Sequence, residues 1–284
     1  MKEISSTIKV GEINTLEIAR DTDFGFYLVA QDQKEVLLPN AYIIEDEMPI
    51  GSAIDVFVYR DSEDRVVAVT KEPYAKLGEL GYFTVVDSSK DGAFVNWGLP
   101  KDLFVPKSEQ KEPLRVGKKY ILRVCLDEKT DRVYATQKIG KYFKRDLKSL
   151  YPKMKLSAII IAKTPLGFKV VANNEYEGMI FKDDIFKELK IGQKVDVYIK
   201  KIRDDGKLDL SARAIGKDAK SSEAQEAILK EFANSSILPF TSKSDPIEIK
   251  KRFGLSKKSF KAALNALIQE RKIELLEDAI KIVR

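Results

Sequence analysis

Histidine is absent and cysteine occurs once, and these two shortages narrow the chemistry before any pattern is sought. Without an in-chain imidazole there is no Ser-His-Asp or Cys-His nucleophile activation, no His-ligated zinc and no His proton shuttle. A single thiol, Cys125, excludes an intramolecular disulfide, a zinc finger and an iron–sulfur site. Long apolar runs are missing as well: Ala158 to Ala162 is as long as they become, far below the ~18 residues of a spanning helix. Neither the phosphate loop (two glycines flanking four residues before Lys-Ser/Thr) nor the dinucleotide Gly-x-Gly-x-x-Gly occurs. No metal or other cofactor is expected, and the reading is of a binding protein, not an enzyme. The start, Met1-Lys2-Glu3-Ile4-Ser5, has no secretory pattern, which with one cysteine points to the cytoplasm and to no membrane partner.

What is present is enough apolar sequence, 44% of 284 residues, for more than one core, and a modest cationic excess of 50 Lys and Arg over 44 acids. That excess is unevenly placed. Lys138, Lys141, Lys144, Arg145, Lys148, Lys153 and Lys155 lie in one stretch against Asp146 alone. Such a concentration favours a polyanion by counterion release, although a solvated linker has the same composition.

One pattern occurs three times: an alternating strand, a glycine turn into a second strand, an apolar run, then Gly-x-x-apolar-x-Val-x-apolar and a charged turn. The first copy carries Phe24-Gly25-Phe26-Tyr27-Leu28-Val29 and Gly51-Ser52-Ala53-Ile54-Asp55-Val56-Phe57-Val58. The second carries Gly92-Ala93-Phe94-Val95 and Gly117-Lys118-Lys119-Tyr120-Ile121-Leu122-Arg123-Val124. The third carries Gly167-Phe168-Lys169-Val170-Val171, Gly178-Met179-Ile180-Phe181 and Gly192-Gln193-Lys194-Val195-Asp196-Val197-Tyr198-Ile199. The two glycines are 26, 25 and 25 residues apart in the three copies, a step that chance does not keep. Each copy reads as about five short strands in roughly 65–70 residues, and a small closed or nearly closed sheet is the economical solution, because a lone open sheet leaves edges and one apolar face bare. The expected units are 1–71, 72–139 and 156–214, with 140–155 as a basic connecting segment, followed by 221–284.

Phe-Gly-x-Tyr-Leu-Val in copy one, Gly-Met-Ile in copy three, and Gly-Gln-Lys-Val-Asp-Val followed by Lys207-Leu208-Asp209-Leu210-Ser211 resemble the S1 domain, a five-stranded OB-fold barrel that binds single-stranded RNA. The resemblance implies an RNA face made of two aromatics around the strand-two glycine and of an Asp and Arg near the last hairpin. Copy one keeps Phe24, Tyr27, Asp61 and Arg65. Copy two offers Phe94 and Arg132, with Trp97 as a further ring and Asp91 in the other aromatic place. Copy three places Leu166 and Lys169 at the aromatic positions and Phe181 at that of the family's histidine. Exposed rings stack on bases while cations track phosphates, neither demanding a particular sequence. Rings at alternating strand positions also make barrel core, and Phe24 and Tyr27 share a face only where Gly25 bends the strand.

From about Ser221 the apolar period lengthens to nearly four. Ser222-Glu223-Ala224-Gln225 opens one helix, Asp245-Pro246-Ile247-Glu248 caps a second before Gly254, and Ser256 caps a third through about Arg271. Ile273–Leu276 and Ile280–Val283 then flank a Glu277-Asp278 turn, so three helices and a β-ribbon resemble a winged helix-turn-helix. Lys258, Lys261, Asn265, Gln269 and Lys272 form one stripe on the third helix, fit either to touch nucleic acid, DNA included, or to dock on protein.

The fold expected is mostly β with a small α+β carboxyl-terminal domain: three S1-like barrels and a winged helix. This order of modules, ending in Ser242 through Ser256, resembles the bacterial conserved virulence factor B family. The resemblance implies an RNA-binding, post-transcriptional regulator that influences virulence-factor expression. Two alternatives remain at this level: a ribosome- or RNA-polymerase-associated adaptor whose third repeat and winged helix bind protein, and a Mg²⁺-dependent nuclease using Asp183-Asp184 or Asp204-Asp205. Few rings against many cations favour charge over stacking, so Lys141, Lys144, Arg145 and Lys148 are expected to carry affinity, and residues 138–284 to bind RNA nearly as well as the whole chain.

Overall fold

A computed structural model describes residues 3–43, 48–185, 188–213, 217–232 and 235–283, with backbone alone for 217–223. Residues 214 and 284, which end two of the expected units, lie outside this set.

The first repeat contains β1 (Ile13–Thr22), β2 (Gly25–Val29), β3 (Glu35–Pro39), β4 (Ala53–Arg60) and β5 (Val66–Val69), closed in the order β1-β2-β3-β5-β4. The third contains β11 (Lys155–Thr164), β12 (Gly167–Ala172), β13 (Tyr176–Phe181), β14 (Lys194–Ile202) and β15 (Leu208–Ser211) and closes the same way. In both, a parallel pairing completes the barrel: Leu37 beside Val67, and Gly178 to Ile180 beside Leu208 to Leu210. The strand-two glycines make this packing feasible. Gly25 and Gly167 sit at φ +132° and +148°, and a Cβ there would lie 2.1 Å from the carbonyl oxygens of Leu38 and Ile180.

The second repeat contains β6 (Leu80–Ser88), β7 (Gly92–Asn96), β8 (Leu103–Pro106), β9 (Lys119–Asp127) and β10 (Arg132–Thr136). It is the nearly closed case: the sheet runs β10-β9-β6-β7-β8, and β8 and β10 lie side by side without a ladder between them. Side chains take the place of the missing ladder. Gln110 Nε2 donates to the Val105 carbonyl at 3.0 Å, Thr136 Oγ1 to Glu109 Oε2 at 2.5 Å, and Lys111 N to Gln137 Oε1 at 2.7 Å.

Strands with continuous apolar sequence are buried on both faces, as two-sided burial requires. Val56 and Val58 of β4 fill barrel 1, while Phe57 and Tyr59 between them pack with Trp97, Val85 and Val95 of the second repeat in one core. Likewise Ile160 and Val170 fill barrel 3, whereas Ile159 and Val171 meet Leu80 and Ile139 in a cluster that joins repeats two and three. Asn174 adds polar ties across that joint, accepting from Leu80 N at 3.0 Å through Oδ1 and from Arg123 Nη1 at 2.6 Å through its carbonyl.

The carboxyl-terminal domain holds α1 (Lys217–Glu231), β16 (Ile237–Leu238), α2 (Pro246–Phe253), α3 (Lys257–Gln269), β17 (Ile273–Leu275) and β18 (Ile280–Ile282). Asp245 caps α2 by accepting from Ile247 N and Glu248 N, with Pro246 in the first turn and Gly254 left-handed at the end. Ser256 accepts from Ser259 N to cap α3. Helix α1 begins at Lys217, earlier than Ser222, and β16 adds a third strand to the ribbon by pairing with β18. Among the described residues no helix is long and apolar enough to cross a membrane.

Candidate nucleic-acid interface

On barrel 1 the sequence places two rings in reach of a ligand. Phe24 belongs to the turn before β2, not to the strand, and is 74% exposed, so the alternation that would send it and Tyr27 to opposite faces does not apply. Tyr27 points outward from β2 because its neighbours Phe26 and Leu28 point into the core. Opposite it in the β1–β2 register stands Arg20, whose guanidinium lies 3.7 Å from the ring centroid and pairs with Glu35 at 2.8 Å. Arg20 was not singled out by sequence; its cross-strand position opposite Tyr27 is the signal that would have found it.

The last hairpin of barrel 1 is held by its own charges. Arg65 donates to Asp61 Oδ2 from Nε at 2.9 Å and Nη2 at 2.7 Å and pairs with Glu63 at 2.9 Å. Burial pushes the Asp61 carboxyl up, but the hydrogen bonds from Arg65 and from the Arg65 and Glu63 amides outweigh it and hold the group below its ordinary range. Arg132 of the second repeat is drawn into the same hairpin, donating to Asp64 at 3.1 and 2.9 Å, while Arg60 donates to the Asp131 carbonyl and carboxylate at 3.1 and 3.2 Å. This reciprocal pair clasps repeats one and two. Arg132, expected at an RNA face, therefore has a structural partner already.

Trp97 requires a correction. Only 2% exposed, it packs edge-on against Phe57 at 5.7 Å and Tyr59 at 6.3 Å, and its Nε1 donates to the Lys101 carbonyl at 2.6 Å. Its ring is core between two repeats and cannot stack on a base. Phe94 is half-buried and leans on Phe104 with centroids 5.1 Å apart.

On barrel 3, Lys169 is exposed on β12, Leu166 is 64% exposed at the preceding turn, and Phe181 is half-buried at the end of β13. The basic segment before this barrel is no free linker. Leu147, Leu150 and Met154 pack into the barrel-3 core, and Lys153 N donates to the Ile199 carbonyl at 2.7 Å. Lys141 pairs with Glu109 at 3.3 Å and Lys144 with Glu175 at 2.8 Å, so two of the four expected phosphate contacts have internal partners. Arg145 and Lys148 are exposed, and the Arg145 backbone lies against the Gly206 turn of the β14–β15 hairpin. Because Ile139 belongs to the core shared with Leu80, and Lys141 reaches back to Glu109, a fragment starting at 138 loses part of its own anchoring.

On α3, Lys258, Lys261, Asn265 and Gln269 are all exposed opposite the buried Phe260, Ala263, Leu264 and Leu267. Lys272 departs from the expected stripe: the helix ends at Gln269, and Lys272 lies beyond it, paired with Glu270 at 2.8 Å. The β-ribbon carries exposed Glu274, Glu277 and Asp278, which repel a phosphate backbone.

Three S1-type OB sheets in tandem, two of them closed, with a small winged helix behind them, define a class of multidomain nucleic-acid-binding protein. Residues 10–71 match the S1 domain and residues 226–282 the CvfB-like winged helix domain. The chain is 28% identical over 279 residues to the uncharacterized protein YitL of Bacillus subtilis, covering 94% of this chain and 91% of that one. It is 25% identical over 279 residues to conserved virulence factor B of Staphylococcus saprophyticus, covering 94% and 92%. A crystal structure of a multidomain protein with nucleic acid binding domains from Streptococcus pneumoniae is similar at 22% identity and a TM-score of 0.40, covering 96% of this chain and 98% of that one. The similarity to proteins named conserved virulence factor B thus runs over nearly the whole chain, and its carboxyl-terminal domain matches the CvfB-like winged helix.

Proposed function

We propose that the protein binds single-stranded RNA with little sequence preference and acts in the cytoplasm as a post-transcriptional regulator of bacterial gene expression, virulence factors included. The observation that carries this reading is the Phe24 and Tyr27 pair on barrel 1, one ring exposed and the other half-buried and pointing outward under the Arg20 guanidinium. Unpaired bases stack on such rings for about 1–3 kcal/mol each, while the Arg20 guanidinium is already held by Glu35. Lys169 on barrel 3 and Arg145 and Lys148 on the segment beside it supply exposed charge for the backbone. The regulatory role draws on relatives named conserved virulence factor B. It has no catalytic step, and an assay for Mg²⁺-dependent RNA cleavage reads that directly. Titration of the intact protein against single-stranded RNA, duplex RNA and duplex DNA at two salt concentrations tests the reading. Tightest binding to the single strand, weakening with salt, is the expected outcome; equal or tighter binding to duplex DNA rejects it.

A further inference from the structure

The second repeat's outer face opens into a cleft of about 940 Å³ whose far wall is the β4–β5 hairpin of barrel 1. In a set of repeats that otherwise offer rings and cations, this is where RNA would next be sought. The charges say otherwise. Six carboxylates line the cleft against four cations. Three of those cations are already engaged: Arg60 with Asp131, Arg132 with Asp64, and Lys101, whose Nζ donates to the Asp61 carbonyl at 2.6 Å. Among the described residues that leaves the Lys129 ammonium, with no hydrogen bond or ion pair, to meet a phosphate. By contrast, the carboxylates of Asp91, Asp102 and Glu128 have no such partner there. A polyanion entering this cleft meets unneutralised negative charge.

Two further features fit a different ligand. The Phe94–Phe104 ring pair forms part of the wall, and a ring face beside free carboxylates suits a guanidinium, which stacks on the ring and donates its planar fork to the acids. The cleft also lies along the open seam of the sheet, since Phe104 and Pro106 of edge strand β8 and Val133 and Tyr134 of edge strand β10 line it. These two edges lie side by side without a ladder between them, so what the cleft offers an occupant is side chains, the ring pair and the free acids above all. We infer that the cleft between the first two repeats binds an extended basic peptide segment of a protein partner, seating an arginine between the Phe94–Phe104 rings and the carboxylates of Asp91 and Asp102. The RNA face and a protein-docking cleft then occupy neighbouring repeats of one chain.

Trp97, the one tryptophan of the sequence, lines this cleft, so intrinsic fluorescence of the intact protein reports on it selectively. The experiment follows Trp97 emission during titration with a hexa-arginine peptide, a hexa-lysine peptide and a single-stranded RNA decamer, with RNA affinity measured separately by anisotropy of the labelled decamer. Hexa-arginine is expected to change the emission saturably and to bind about tenfold tighter than hexa-lysine, because an ammonium lacks the planar fork. Asp91→Asn with Asp102→Asn, at two exposed positions, and Phe94→Leu as a second variant, are each expected to weaken the peptide about tenfold and leave decamer affinity unchanged. The inference is overturned if hexa-arginine leaves Trp97 emission unmoved, if the double Asn variant binds it as tightly as the parent chain, or if the decamer produces the saturable Trp97 change. Anisotropy of the decamer reports on the RNA reading of barrels 1 and 3, so the two readings fail separately.

Discussion

Repeats one and two descend from one pattern and use their aromatic residues in opposite ways. In the first, Phe24 is exposed, Tyr27 points out of the barrel half-buried under Arg20, and the barrel closes through its own β3–β5 pairing. In the second, Trp97 is consumed by the junction, Phe94 leans into a cleft, and closure is left to side chains of Gln110, Thr136 and Gln137. The difference lies in the neighbour, not in the repeat. Barrel 1 lends Phe57 and Tyr59 to its partner and so covers the partner's face while keeping its own open. A ligand face therefore depends on what packs beside it, and tandem copies of one fold need not carry copies of one site.

Trp97→Ala is the strongest way to break the comparison. Removing a fully packed ring from the shared core is expected to cost about 3–5 kcal/mol in denaturant unfolding, whereas Phe24→Ala, at a residue 74% exposed, should leave the midpoint almost unchanged. A Trp97→Ala protein as stable as the parent would mean that the junction is not a core. The RNA readout inverts this order. Tyr27→Ala is expected to weaken single-stranded RNA by about 1–3 kcal/mol with little change in salt slope, measured by anisotropy at two salt concentrations. An unchanged affinity would remove barrel 1 from the interface.

Much of this division was open to a reading of the chain, and the rest was closed for physical reasons. The glycine step marked three repeats, since Gly25 and Gly167 occupy backbone geometry in which a Cβ would strike a carbonyl. The Asp245-Pro246-Ile247-Glu248 cap marked α2. The Val56–Tyr59 run, apolar without alternation, is buried on both faces, and nothing local says what covers the second one. That knowledge sits in pairs such as Arg60 with Asp131, 71 residues apart and joined by no periodicity. For the same reason Trp97 read as a ligand ring, Arg132 as a phosphate contact and Lys272 as part of a helix. A two-residue strand such as β16 is too short to show a period at all.

Charge sharpens the comparison on the barrel-3 side. Arg145→Glu with Lys148→Glu alters two exposed cations with no acidic partner among the described residues, whereas Lys141→Glu with Lys144→Glu also breaks pairs with Glu109 and Glu175. Each lost phosphate contact reduces the slope of log affinity against log salt by about 0.7 on a single strand. The first pair is expected to reduce both affinity and slope more than the second, since the Lys141 and Lys144 ammonium groups must first leave their acids to meet a phosphate. Equal slopes for all variants would show that this segment is scaffold for barrel 3 and touches no RNA.

The smallest effect belongs to the clasp itself. The Arg132 hydrogen bond holds the Asp64 carboxyl below its ordinary range, as the Arg132 and Arg60 charges also do. A carboxyl whose folded value is depressed lends stability that is fully present above its unfolded value, about 3.9, and is lost as pH falls through the folded value. At neutral pH the clasp is therefore intact, and acidification below about pH 3.9 is expected to loosen the joint between repeats one and two, read as a change in Trp97 emission before global unfolding. Arg132→Ala should remove most of that acid-dependent step, because the partner that depresses Asp64 is gone. It should also leave RNA affinity within about twofold of the parent, since this guanidinium already serves Asp64 and faces a cleft richer in carboxylates than cations. A loss comparable to that of Tyr27→Ala would return Arg132 to the RNA interface and make the two repeats alike in function after all.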